Sequence, residues 1–164
     1  MAIEHVRHKE MTKLDSPREL ILACPPFKSG VNLSRIVRLA GCAGIRTIYA
    51  CGATKIDAKV ARDALEHVEV IRRRTLASVL KQLKQDNYRL VALEQTTESS
   101  CIFDFQFETR TALVIGHERH GLSNEELAVV DDAIEIPVYG LPFSYNVVTA
   151  TTMAVHEYCR QFPS

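Results

Sequence analysis

Two residue patterns alternate along this chain. Short apolar runs rich in β-branched residues are separated by segments whose apolar residues recur at helical spacing. The runs Glu19–Cys24, Arg46–Ala50, Val68–Ile71, Arg89–Leu93, Ala112–Ile115 and Ala133–Ile136 have the length and composition of strands buried on both faces. Strands alternating with helices predict an α/β class fold, with a mainly parallel six-stranded sheet and helices on both faces. Leu33, Ile36, Val37 and Ala40 fall on one helix face, with Asn32 placed to cap the start and Gly44 to end it. The same spacing predicts helices over Lys55–Leu65, Thr75–Gln85, Asn124–Val130 and Val147–Arg160. Thr96–Arg110 reads as an irregular connection.

At 164 residues and 46% hydrophobic side chains, residues 1–164 suit a single domain with one substantial core. Residues 1–18 precede the first run and are expected to form a flexible N-terminal segment. No apolar stretch approaches the ~18 residues of a membrane-spanning helix, and the charged N-terminus does not read as a secretory signal. The expectation is a protein without membrane attachment. Cys24, Cys42, Cys51, Cys101 and Cys159 form an odd set without a C-x-x-C pair, which favours a reducing cytoplasm over a disulfide framework. Lys+Arg and Asp+Glu both number 20, so any nucleic-acid binding must rest on a local basic face, not on bulk charge.

Three segments place polar residues at a strand's carboxyl end or the following helix start, where open α/β sheets bind ligands. In Lys28–Ile45, Arg35 and Arg38 lie three apart and share one helix face, which can read phosphate or simply be solvated. In Leu113–Ser123, a strand runs into a turn with Gly116 and Gly121 around Glu118. That acid could hold an amide, or merely pair with Arg119. In Ile136–Tyr158, a turn with Pro137, Gly140 and Pro142 enters a helix through Ser144 and Asn146, either of which makes an ordinary N-cap.

Missing motifs narrow the choice further. Neither G-x-G-x-x-G after the first strand nor G-x-x-x-x-G-K-[ST] occurs, so a dinucleotide oxidoreductase and a P-loop NTPase lack their phosphate loops. His117 and His120 flank Glu118 without a third ligand, so no metal is expected. Arg72–Arg74, at the end of the third run, can touch phosphate or form a solvated sheet edge.

In combination, N-x₅-R from Asn32 to Arg38, G-x-E-x-x-G-L-S from Gly116 to Ser123, and I-P with S-x-N-V from Ile136 to Val147 resemble the three motifs of the SpoU branch of the SPOUT RNA methyltransferases. The resemblance spans Leu20 to Tyr158. It implies an S-adenosylmethionine-dependent methyltransferase acting on a ribose 2′-hydroxyl of RNA. It also implies a C-terminal trefoil knot, which chain-connection rules alone would argue against, and a homodimer, with Val147, Val148, Met153 and Val155 contributing apolar surface. The implied catalytic set is Arg38, Asn32, Glu118, Ser144 and Asn146. The implied donor-binding set, acting largely through backbone groups, is Leu93, Gly116, Ile136, Ser144 and Tyr145. Arginine stays protonated in proteins, so orienting the hydroxyl and stabilising its developing charge suits Arg38 better than acting as base; a deprotonated Arg38 is the sharper alternative. Asn32 and Glu118 would then hold Arg38 or the ribose.

Two departures from the family pattern stand out. Tyr145 replaces the leucine of S-L-N, and His117, Arg119 and His120 make the second motif more basic. Small members of the family act on transfer RNA, so tRNA is the expected substrate and ribosomal RNA the second choice. A catalytically inactive RNA-binding or assembly factor with the same fold is the reading from a different class. A flavodoxin-like binder fits the strand count but leaves the three motifs unexplained.

Overall fold

The computed structural model describes residues 3–6 and 9–164. Seven strands form one sheet: β1 (Arg18–Cys24), β2 (Ile45–Cys51), β3 (Glu69–Arg73), β4 (Arg89–Leu93), β5 (Ser100–Cys101), β6 (Thr111–Ile115) and β7 (Asp132–Glu135). Their order across the sheet is β3-β2-β1-β6-β4-β7-β5, and every pairing between them is parallel. All the strand carboxyl ends therefore gather along one edge.

The helices are α1 (Gly30–Ala43), α2 (Ala58–Ala61), α3 (Leu76–Gln85), α4 (Asn124–Leu127) and α5 (Val147–Gln161). On one face of the sheet, Leu33, Ile36, Val37 and Ala40 of α1 pack with Val155 and Tyr158 of α5 over Leu22, Ile48 and Leu113. On the other, Leu76, Val79, Leu80 and Leu83 of α3 cover Ile21, Tyr49, Leu90 and Ala112. Each fully buried aliphatic side chain contributes about 1.5–3 kcal/mol before conformational entropy is set against it. Two apolar faces explain why β1, β4 and β6 read as unbroken apolar runs.

Several expectations are corrected. The sheet has seven strands, not six, because the connection read as irregular contains β5, where Ser100 and Cys101 pair with Ile134 and Glu135. Helix α1 starts earlier than expected: Ser29 is its N-cap, its hydroxyl accepting from Asn32 N–H. Asn32 thus lies inside the first turn with its side chain released for other work. Gly44 ends α1 in the left-handed region, at φ +71, as expected. The helix read over Lys55–Leu65 is only α2, capped by Asp57, followed by a 3-10 turn over Arg62–Glu66. Helix α4 is likewise shorter than its sequence pattern. Val155 is 1% exposed, so it belongs to the core and leaves the set proposed for a subunit interface. Of the expected flexible N-terminal segment, positions 1, 2, 7 and 8 lie outside the described residues. Arg18 of that segment instead opens β1, with its Nε donating to Ala43 O at 2.8 Å.

Candidate active site

The loops leaving β1, β4, β6 and β7 meet at the carboxyl edge of the sheet, and Glu118 ties two of them together. One carboxylate oxygen, Oε2, accepts from Lys28 N–H at 2.7 Å. The other, Oε1, accepts from Ser29 N–H at 3.0 Å and from the Asn32 side-chain amide at 3.0 Å. The loop after β6 is thereby locked to the amino end of α1, where main-chain amides and the helix dipole favour an anion. Burial raises the Glu118 pKa, but the donors from Lys28, Asn32 and Ser29, with His117 nearby, outweigh it and hold the carboxyl below its ordinary range. Glu118 is anchored by main-chain amides and Asn32, and not by Arg119.

The turn that carries Glu118 is tight. His117 and Gly121 exchange backbone hydrogen bonds of 3.0 and 2.9 Å, and Gly121 has φ +63, which glycine adopts without strain. His117 Nδ1 accepts from Arg119 N–H at 3.1 Å, and its ring stacks on His120 with centroids 4.9 Å apart. Among the described residues no group of three His, Cys, Asp or Glu side chains is placed to hold a metal ion.

Beside this turn lies a cavity of about 360 Å³, within the range of small-molecule sites. Leu93, Gly116, Ile136, Ser144 and Tyr145, the residues expected to hold a donor, all line it. Glu118 lines it too. Ile115, Ile134 and Ile136 make an apolar wall, while Glu94, Glu118 and Glu135 supply carboxylates. A flat heteroaromatic group against the first and a cationic group near the second would both be accommodated. The adenosyl ring and sulfonium of S-adenosylmethionine have that chemistry, so the residues present fit the donor.

The remaining expected residues, Asn32, Arg38 and Asn146, are not among those that line the cavity. Asn32 reaches it through Glu118. Asn146 caps α5, its Oδ1 accepting from Val148 N–H at 2.9 Å. Arg38 stands on the exposed face of α1 with Arg35, six residues beyond Asn32, or about 9 Å along the helix axis at ~1.5 Å per residue. Among the described residues neither Asn32 nor Glu118 bonds to it. Glu94 gives no signal in the sequence: a lone acid after a strand carries no motif, and only the fold shows it facing the second motif's glycines.

A family model described as the SpoU rRNA Methylase family matches residues 19–156. The tRNA (guanosine(18)-2'-O)-methyltransferase of Aquifex aeolicus is 28% identical over 148 residues, covering 88% of this chain and 70% of that protein. The 23S rRNA (guanosine-2'-O-)-methyltransferase RlmB of a Burkholderia species is 30% identical, covering 94% of this chain and 65% of its own length. The crystal structure of the A. aeolicus TrmH/SpoU tRNA modifying enzyme superposes with a TM-score of 0.82 at 28% identity, over 89% of this chain and 76% of that one. The chain spans 54% to 70% of its bacterial relatives' lengths, and 6% of the related mouse protein, tRNA (guanosine(18)-2'-O)-methyltransferase TARBP1.

Proposed function

The chain belongs to the SpoU rRNA Methylase family, and from that premise we propose that it transfers a methyl group from S-adenosylmethionine to a ribose 2′-hydroxyl of RNA. The observation that carries this reading is the meeting of three motifs at one place: Glu118 bonds Asn32 beside a cavity that Ser144 and Tyr145 help to line. Relatives named for tRNA and for 23S rRNA methylation support both substrates. Transfer RNA is the substrate we favour, with ribosomal RNA as the alternative.

The donor supplies an electrophilic methyl group on a sulfonium centre. Leu93, Gly116, Ile136, Ser144 and Tyr145 would hold it, largely through backbone groups of the strand-end loops. Glu118 keeps the β6 loop against α1 and turns the Asn32 amide to a fixed direction. Arg38 and Arg35 present guanidinium groups on the solvent side, where a ribose and its phosphates can meet them. By the family resemblance, Arg38 would orient the hydroxyl and stabilise the negative charge that develops on its oxygen as the proton passes to solvent. Ser144 and Asn146 shape the mouth of the pocket, and positioning supplies much of the rate.

We further propose one domain over 1–164, a C-terminal trefoil knot, a homodimer and a cytoplasmic location. The knot follows from the family the chain belongs to, and the segment after β5 holds the end of α5. Gln161 donates to Phe105 O at 2.8 Å and accepts from Phe107 N–H at 2.9 Å. The dimer is supported by exposed apolar side chains on the β7–α5 loop, with Tyr139 at 89%, Leu141 at 79% and Phe143 at 80%, and by the part-exposed Met153 on α5. Such a patch suits a protein interface. Free thiols at all five cysteines suit a reducing compartment, and none of the described helices is long and apolar enough to cross a membrane.

The test is incubation of the purified protein with methyl-labelled S-adenosylmethionine and total RNA, with donor binding measured separately by calorimetry. Label recovered as 2′-O-methylnucleoside is the expected result. Donor binding without transfer to any RNA would favour the assembly-factor alternative.

A further inference from the structure

The two glycines of the second motif share a neighbour that none of the three motifs contains. Glu94 directly follows β4, and its backbone N–H donates to Ile134 O at 3.1 Å, extending the sheet ladder and fixing the origin of its side chain. That side chain crosses to the loop after β6, where Oε2 accepts from Leu122 N–H at 3.0 Å. Oε1 accepts from Gln95 N–H at 3.2 Å. A methyl group on Gly116 would stand 2.8 Å from Oε2, and one on Gly121 only 2.2 Å from it. The Glu94 carboxylate therefore fills the space that both glycines leave.

The loop it touches is a closed unit, because His117 and Gly121 bond each other, and Leu122 N–H is a point where that unit is fastened to the sheet. Leu122 is buried, so losing the acceptor would strand its amide away from water. Glu94, Gly116 and Gly121 all line the cavity. We infer that Glu94 is a positioning residue for the donor site: its carboxylate fastens the 116–122 loop to β4 and so holds the backbone of the cavity wall in place. The role rests on reading this cavity as the S-adenosylmethionine pocket.

The experiment uses the full chain and three variants, Glu94→Ala, Glu94→Gln and Glu94→Asp. Amide hydrogen exchange over 116–122 is followed without ligand, S-adenosylmethionine affinity is measured by calorimetry, and thermal melting reports folding. Glu94→Ala is expected to speed exchange at Leu122 and weaken the donor roughly tenfold or more, whereas Glu94→Gln, which keeps one acceptor, stays within about threefold of the parent. Glu94→Asp keeps the charge but falls one methylene short, so it should behave like alanine; it provides the comparison if the alanine variant does not fold. Parent-like exchange and affinity in Glu94→Asp, or faster exchange with unchanged affinity, would overturn the role of Glu94 while leaving the pocket intact. A parent protein that binds no S-adenosylmethionine would overturn the pocket and the role together.

Discussion

At the scale of single residues, the site separates groups that hold the backbone from groups free to meet a substrate. Arg38 is of the second kind. It is exposed on α1, so Arg38→Ala should change stability by no more than ~0.5 kcal/mol. Under single-turnover conditions with saturating donor and RNA, the same change should slow methyl transfer by ~100-fold or more. Lysine there keeps the charge without the planar fork and should be nearly as poor. A near-normal rate in folded Arg38→Ala would leave it, at most, a phosphate contact. Glu118 is of the first kind, since three donors converge on it. Glu118→Ala strands them and should cost about 1–3 kcal/mol in denaturant melts. Its pKa is lowered by folding. The stabilisation is therefore complete above the ordinary glutamate range and lost as pH falls through the lowered value. Acid melts of the parent should converge on those of Glu118→Ala below that point; a constant gap between them at all pH values would mean the carboxylate is not the group responsible.

At the scale of elements, the legible parts are those whose physics is local. Gly44 marks the end of α1 because a left-handed residue is needed there, and the buried strands announce themselves as apolar runs. Asn32 has the residue type of a cap, but so has Ser29, three residues earlier, and Ser29 takes the position. Its hydroxyl holds Asn32 N–H at 3.2 Å, so Ser29→Ala should cost about 1 kcal/mol, and an unchanged melting curve would contradict that assignment. Strand β5 was illegible for another reason: two residues carry no alternation, and only β7 alongside makes them a strand. The polar site follows the same division. The motif residues could be named through the family resemblance that their combination carries, but the Glu118–Asn32 bond and the reach of Glu94 to Leu122 join positions distant in sequence, and only the fold brings them together. Gly116 belongs here as well. A Cβ on it meets Glu94 Oε2 at 2.8 Å and Gly121 Cα at 3.1 Å, so Gly116→Val should abolish donor binding in calorimetry. Parent-like binding by that variant would mean the pocket lies elsewhere.

At the scale of the whole molecule, the parallel sheet brings every strand's carboxyl end to one edge, and the apolar loop beside that edge suits a second copy of the chain. Sedimentation at micromolar concentration should show a dimer, and Leu141→Glu with Phe143→Glu should shift it toward monomer without unfolding. A parent protein that sediments as a monomer would contradict the dimer. Methylation of a ribose in structured RNA is read out by mapping 2′-O-methylation across total RNA from cells with and without this gene. The expected result is the loss of 2′-O-methyl at one or a few defined nucleotides, first sought in tRNA and restored by the parent gene but not by one encoding Arg38→Ala. An unchanged map in RNA from cells that otherwise express the protein, or loss of a base methyl in place of a ribose methyl, would contradict it.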